Sequence, residues 1–282
     1  MRFPEKMSVG LLREVLGDMP LELCVLETVD STNAEARRAV LRGARLPTAF
    51  FAETQTAGRG RMGRSFYSPS DTGIYCTLLL PMRDVQADTV SVTAIAAVAV
   101  RRAILRVIGV ETAIKWVNDL YYGDRKVCGI LAETVVQNEE RFLILGVGIN
   151  LCTRNFPAEL SSIAGSLLPE GKGSRNRLAA TLISELYESL SQTNDLSWLG
   201  EYRACSNILG RPIRYTEQGK DAFGVAESID EKGRLVVRRE DGGIDVLASG
   251  EISVRLNEWK NKENEHDWEC AEKRSPDRAG RH

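Results

Sequence analysis

Between two segments with the texture of β-strands, residues 58–64 read Gly-Arg-Gly-Arg-Met-Gly-Arg, and this loop constrains the fold more than any other feature of the chain. Glycine lets backbone N–H groups come close to an anion without a Cβ in the way. Each arginine adds a permanently charged, planar fork of donors that suits phosphate or carboxylate. A packed core does not accommodate Arg59, Arg61 and Arg64 so close together. The segment reads either as a solvated basic loop or as a loop that closes over a phosphorylated ligand. Its glycines also fit Gly-x-Gly-x-x-Gly, the dinucleotide fingerprint, which requires a strand before the loop and a helix opening out of it. The strand is there, in Thr48-Ala-Phe-Phe-Ala-Glu-Thr54. The helix is not: residues 65–73 carry turn signals, and Ile74–Leu80 reads as another strand. A Walker A loop would need Lys-Ser or Lys-Thr where Arg64-Ser65 stands. Both standard nucleotide loops are set aside, and an unusual phosphate-binding loop remains.

The 282 residues, 43% hydrophobic, suffice for one large core and a small second domain. A formal charge of −2 gives no electrostatic case for a dedicated nucleic-acid binder. Cys24, Cys76, Cys128, Cys152, Cys205 and Cys270 are scattered without a Cys-x-x-Cys pair, which argues for reduced thiols in a cytosolic protein. The only histidines, His266 and His282, lie in a charged C-terminal stretch. A Ser-His-Asp or Cys-His mechanism in the core, or a histidine-ligated metal, is therefore excluded. An enzyme built this way works by positioning and positive charge, as phosphoryl and adenylyl transfer can. The N-terminus lacks an apolar signal-peptide region. Val90–Ile108 contains Arg101, Arg102 and Arg106, too much charge for a bilayer span; it reads as a core helix capped by Asp88 or Thr89 and stopped at Gly109.

Leu21–Leu26 is a first strand, followed by Asp30-Ser-Thr-Asn33 and a helix over Ala34–Arg42 with Ser31 or Thr32 as N-cap. A cap hydroxyl at a helix N-terminus can also face a ligand. Thr112–Tyr122 reads as a strand, Gly123-Asp124 as a turn, and Lys126–Val136 as the returning strand of a hairpin. Phe142–Asn150 is a further buried strand, and Asn176–Leu190 an amphipathic helix. Many strands with few helices between them predict an α+β fold: a mixed, mostly antiparallel sheet with helices packed on one face. From about Asn207, five short strands in roughly fifty residues predict a small β-barrel. The expected organisation is an N-terminal extension over 1–20, a catalytic domain over 21–205, the barrel over 206–256, and a charged, disordered tail over 257–282.

Lys115 stands inside an otherwise apolar strand, where it either snorkels outward or turns its ammonium into a polar site. Asn118-Asp119 either start a turn or offer an amide and a carboxylate for ribose, amine or magnesium-bound phosphate.

Five motifs now stand in order: Ser31-Thr32-Asn33; Gln55 with the Gly58–Arg64 loop; Lys115-Trp-Val-Asn-Asp119; Lys126-Val-Cys-Gly-Ile-Leu131; and Gly146-Val-Gly-Ile-Asn150. In this order and spacing the chain resembles the biotin protein ligases over about residues 21–256. The resemblance implies a class II synthetase-like catalytic domain, with Gly233–Val237 and Ser249–Ser253 belonging to an SH3-like C-terminal barrel. It implies that biotin's carboxylate attacks the α-phosphate of ATP, with Mg²⁺ as counter-charge, giving biotinyl-5′-AMP. A lysine of the biotin carboxyl carrier protein of acetyl-CoA carboxylase, or of a related carboxylase, then takes the biotin. Lys115 and Arg61 are the catalytic candidates. Ser31, Thr32, Asn33, Gln55, Arg59, Gly60, Arg61 and Lys115 would bind biotin, with the ureido ring held by Ser31, Thr32 and Gln55. Arg59, Arg61, Arg64, Asn118, Lys126 and Asn150 would bind ATP and adenylate. No protein metal ligand is assigned, though Asp119 could contact Mg²⁺.

Members often have Pro, Arg and Trp where Val117, Met62 and Phe66 stand here. Val117 should fit a strand, Met62 removes one charge, and Phe66 keeps an aromatic wall without an indole donor. Some bacterial relatives carry an N-terminal DNA-binding module, for which the residues before the first strand are too few, so no DNA contact is expected. No membrane partner is expected either, and the resemblance admits a homodimer. A lipoate ligase of the same superfamily, and a non-catalytic binding module, are the alternatives.

Overall fold

In a computed structural model, described for residues 5–85, 87–168, 175–217, 220–250 and 252–254, the chain divides into two compact units. The first runs to Asn207 and includes the turn Ile229–Arg234; the second takes Ile208–Ser228 and the strands from Leu235 on.

A seven-stranded sheet organises the first unit. In chain order its strands are β1 (Glu22–Val29), β2 (Thr48–Gln55), β3 (Gly73–Pro81), β4 (Ala113–Lys115), β5 (Asp119–Tyr122), β6 (Arg125–Gln137) and β7 (Glu140–Asn150). The spatial order is β1-β2-β3-β7-β6-β5-β4. Only β1 and β2 are parallel, so the sheet is mixed and mostly antiparallel as expected. β3 is buried along its whole length, which is why it reads as an unbroken apolar run rather than an alternating one.

Helix α2 (Thr32–Leu41) lies on one face, where Ala36 and Val40 pack on Phe50, Leu79, Phe142 and Ile144. Residues of opposite parity, such as Leu78, Leu143 and Leu145, are equally buried. The long helices α3 (Thr89–Ile108) and α4 (Arg175–Ser191), packed on each other, cover that second face. The bulk of the helical layer thus lies on one side, as expected, with α2 alone beside the site. Asp88 caps α3 by accepting from Val90 and Ser91 N–H at 3.0 and 2.8 Å, and Gly109 ends it at φ 75°. The charges that excluded a membrane span are accounted for: Arg101 and Arg102 both pair with Glu201 of α5 (Ser197–Ala204). No helix among the described residues is long and apolar enough to cross a membrane.

Three features differ from the sequence reading. Thr112–Tyr122 is not one strand: β4 ends at Lys115, residues 116–118 form a turn containing a cis Trp116–Val117 peptide, and β5 folds back with Lys115 opposite Asp119. Val117 therefore sits in that turn and not in a strand. Two short helices were not anticipated, α5 and α1 (Val9–Leu16), the latter buried through Leu12 and Leu16. Finally, the fully buried Arg175 pairs with Glu53 at 2.7 Å and donates to Gly73 O at 3.1 Å, tying α4 to β2 and β3.

The second unit is a five-stranded antiparallel sheet of β8 (Pro212–Glu217), β9 (Lys220–Ile229), β10 (Leu235–Arg239), β11 (Ile244–Leu247) and β12 (Ile252–Val254), ordered β11-β10-β9-β8-β12. These are the five short strands read from the sequence. The charged stretch 257–282 lies outside the described residues.

Candidate active site

Cross-strand partners share a face of the sheet, and the register aligns two rows beside α2. One row runs Phe50–Thr77–Gly146–Leu131. The next runs Ala52–Tyr75–Gly148–Gly129–Asp119–Lys115. The segment Gly146-Val-Gly148 puts both glycines on this face, where the missing side chains let Asn33 and Phe66 pack directly onto the strand. A Cβ on Gly146 would meet Asn33 Oδ1 at 2.2 Å, and one on Gly148 would meet the Phe66 ring at 2.5 Å.

At the α2 end of these rows stand neutral groups, with the Glu133 carboxylate behind them. Ser31, Thr32 and Asn33 are buried at the N-terminus of α2. Ser31 is the N-cap residue, yet its side chain makes no cap bond to the helix. Gln55 Oε1 accepts Thr32 N–H at 2.8 Å and lies 3.2 Å from Thr32 Oγ1, while its Nε2 donates to Ser68 Oγ at 2.8 Å. Asn33 turns inward: Nδ2 donates to Glu133 Oε2 at 2.8 Å, and Oδ1 lies 2.7 Å from Thr77 Oγ1. Thr77, Ser68 and Glu133 were not singled out in the sequence.

At the other end the groups are charged. The Gly58–Phe66 loop is a miniature hairpin, with Phe66 N–H donating to Gly58 O and Gly60 N–H to Arg64 O. Its tip, Met62, is exposed and left-handed at φ 56°. Gly60 N–H is thus committed within the loop. Arg59 and Arg64 are exposed, whereas Arg61 is half-buried and donates to Asn118 Oδ1 at 3.0 Å; Asn118 Nδ2 in turn donates to Ile130 O. Lys115 Nζ stands 5.6 Å from the Tyr121 ring centroid. Burial, reinforced by the Asp119 carboxylate, pushes the Tyr121 phenol up to about 12. Lys126 Nζ pairs with Asp119 at 2.6 Å. The Phe66 ring stacks edge-on against Tyr75 and covers Gly148 and Gly129. Asn150, opposite Gly73, has a buried Oδ1 with no hydrogen-bond partner among the described residues.

Seven of the sequence-selected positions are joined by direct contacts in pairs or through one bridging residue: Thr32 with Gln55, Asn33 with Thr32 through Thr77, Arg61 with Asn118, and Lys126 with Asp119. Lys115, Lys126 and Asn150 share the sheet face, and Ser31 adjoins Thr32. The arrangement sets a neutral hydrogen-bonding cluster beside α2 at one end of the glycine-lined rows and Arg61, Lys115 and Lys126, with Asp119 among them, at the other.

Comparison with known proteins matches this architecture. Residues 25–150 match the Biotin/lipoate A/B protein ligase family, and residues 208–255 the Biotin protein ligase C terminal domain. The "Biotin--[acetyl-CoA-carboxylase] ligase" of Mycobacterium tuberculosis is 34% identical over 83% of this chain and 89% of its own length. The chain belongs to the biotin protein ligase family. The "Bifunctional ligase/repressor BirA" of Bacillus subtilis is 37% identical over 87% of this chain and 77% of its own. Among solved structures, the biotin protein ligase of Aquifex aeolicus in complex with biotin and ATP superimposes with a TM-score of 0.72 at 28% identity, covering 83% of this chain and 98% of that one.

Proposed function

We propose that this biotin protein ligase adenylates biotin and passes it to a lysine of a biotin carboxyl carrier protein, in the cytoplasm. The observation that carries the reading is the division of this sheet face, with neutral hydrogen-bonding groups beside α2 and the cations Arg61, Lys115 and Lys126 at the other end. Biotin has the same division, a neutral ureido ring and a carboxylate. Ser31, Thr32 and Gln55 would hold the ring, whose polar head otherwise costs free energy to bury. The carboxylate would then lie toward Lys115 and Arg61, where ATP presents its α-phosphate.

In the first step the carboxylate oxygen bonds to the α-phosphorus and the α–β phosphoanhydride breaks, releasing pyrophosphate. Bringing two anions together is the obstacle, and fixed cations in a desolvated site counter it. Lys115 and Arg61 serve here, with Arg59 and Arg64 on the flanking phosphates. Asn118, Lys126 and Asn150 face the adenylate, and the unpartnered Asn150 Oδ1 suits a donor such as the adenine amine. Mg²⁺ would supply counter-charge to the phosphates of ATP, and Asp119, which pairs with Lys126 at 2.6 Å, is the carboxylate that would contact it. Among the described residues no cluster of three His, Cys, Asp or Glu side chains offers it a protein cage. In the second step the carrier's lysine amine attacks the acyl carbon and AMP leaves.

The test is ATP–pyrophosphate exchange by the purified chain, with biotin and with lipoate as separate substrates. Exchange with biotin alone is expected. Exchange with lipoate alone would move the chain to the sister activity and void the ureido assignments.

A further inference from the structure

Glu133 of β6 has no part in the scheme above, yet it touches the neutral pocket through Asn33. Its carboxylate accepts from Asn33 Nδ2 at 2.8 Å and from Arg37 Nη2 at 3.3 Å. Because a carboxylate only accepts, Asn33 must turn its amide nitrogen toward Glu133 and its carbonyl oxygen away. On that far side Thr77 Oγ1 lies 2.7 Å from Asn33 Oδ1 and 2.8 Å from Thr32 Oγ1. Thr77 has one proton, and Oδ1 has none to give, so Thr77 donates to Asn33. The remaining short hydroxyl–hydroxyl contact contains a proton only if Thr32 supplies it. Gln55 Oε1 does not compete strongly for that proton, since it already accepts Thr32 N–H at 2.8 Å and its contact with the hydroxyl is the longer 3.2 Å.

We propose that Glu133 is a positioning residue that sets the direction of this chain of hydrogen bonds, drawing the Thr32 proton inward so that Thr32 Oγ1 meets the ligand as an acceptor. On the biotin reading, on which this inference rests, the matching ligand group is a ureido N–H. With the Asn33 amide reversed, Thr77 would donate to Thr32, and Thr32 would present its proton to the ligand's own N–H. Glu133 therefore selects for a ligand that donates at this point. The glycine at 146 serves the same device, because any Cβ there would displace the Asn33 carbonyl oxygen.

The experiment is biotin-dependent ATP–pyrophosphate exchange by the full chain and its variants, with KM for biotin and for ATP measured separately. Glu133→Ala is expected to raise KM for biotin about tenfold or more while KM for ATP moves less than about twofold. Glu133→Gln, whose amide oxygen still accepts from Asn33, should restore most of the loss. Adding Glu133→Ala to Thr32→Val should cost little beyond Thr32→Val alone, because both break one chain. Asn33→Asp should impair biotin binding by setting two carboxylates against each other. The pair Asn33→Asp with Glu133→Gln should recover it, since the amide introduced at 133 donates to the carboxylate introduced at 33 and the polarity returns; this pair also decides the matter if Glu133→Ala does not fold. An unchanged KM for biotin in Glu133→Ala, equal rises in both KM values, or failure of the swapped pair to recover would overturn the inference while leaving the ligase reading intact. Absence of biotin-dependent exchange in the wild type would overturn both.

Discussion

The two ends of this sheet face are built on opposite plans. Around Thr32, Asn33, Thr77 and Gln55 the side chains are buried or half-buried, and their polar atoms are bonded to one another within a rigid corner of sheet and helix. The Gly58–Phe66 loop holds Arg59, Met62 and Arg64 exposed and turns Arg61 inward to Asn118 Oδ1 at 3.0 Å. The difference follows from the ligand each end must meet. A neutral ring is recognised by hydrogen bonds whose direction is set in advance, so the pocket is assembled before binding. On the proposed function, ATP must enter and pyrophosphate leave past this loop, which carries Arg59, Arg61 and Arg64 while Lys115 and Lys126 stay on the sheet.

The largest effect should come from the charged end. Lys115→Ala should lower biotin-dependent pyrophosphate release by at least about 100-fold, as expected for a fixed charge at the reacting centre. Near-normal turnover in a stopped pyrophosphate assay would remove the role assigned to it. At the neutral end, Gly146→Ala forces a Cβ to within 2.2 Å of Asn33 Oδ1. It should cost about 1–3 kcal/mol in thermal or urea unfolding and raise KM for biotin with KM for ATP unchanged. A glycine of the loop offers the contrast: Gly63 has nothing within 4 Å of a Cβ, only a φ of +75°. Gly63→Ala should destabilise by about 1 kcal/mol and leave KM for biotin alone. Arg61→Ala should speed the escape of biotinyl-AMP roughly tenfold while carrier affinity stays constant; an unchanged escape rate would count against it.

The smallest effect tests how the neutral end is held. Asp30, just before the cap of α2, is gripped by both Arg38 Nη atoms at 2.9 and 2.7 Å, which holds its carboxyl at about 2 against an ordinary 3.8. A folded pKa below the unfolded one contributes stability above about pH 4, lost as the pH falls toward 2. Both side chains are more than a third exposed, so the contribution stays under about 1 kcal/mol. Wild type and Asp30→Asn should differ slightly in melting temperature at pH 6 and converge near pH 2.

Much of this was legible in the chain because it depends on local pattern. The strands flanking the arginine loop, the absence of a helix after it, the cap and stop of α3 and the five short C-terminal strands all follow from periodicity and turn chemistry. What escaped depends on tertiary placement. Lys115 reads as mid-strand because Trp116 and Val117 are apolar, and the turn signal of Asn118-Asp119 falls at the end of the reversal at 116–118. Asn33 is named by the resemblance alone, and no local pattern shows that its amide bonds Glu133 and Thr77. Glu133 itself is one acid in a strand, and its meaning appears only when Gly146 brings α2 against the sheet. Glycines at 146 and 148, two apart and hence on one face, were the signal for that approach. Arg175 is silent in sequence for the same reason: its partner Glu53 lies 122 residues away.

The most direct measurement is amide hydrogen exchange of the full chain, free, with biotin, and with biotin and ATP together. A ready-made neutral pocket and a loop that closes on the phosphates predict that residues 31–36 and 52–55 are protected from the start and change little, while 58–66 exchanges fast in the free protein and slows at least about tenfold with both ligands. Fast exchange at 31–36 without ligand, or a loop at 58–66 already protected and indifferent to ATP, would contradict it.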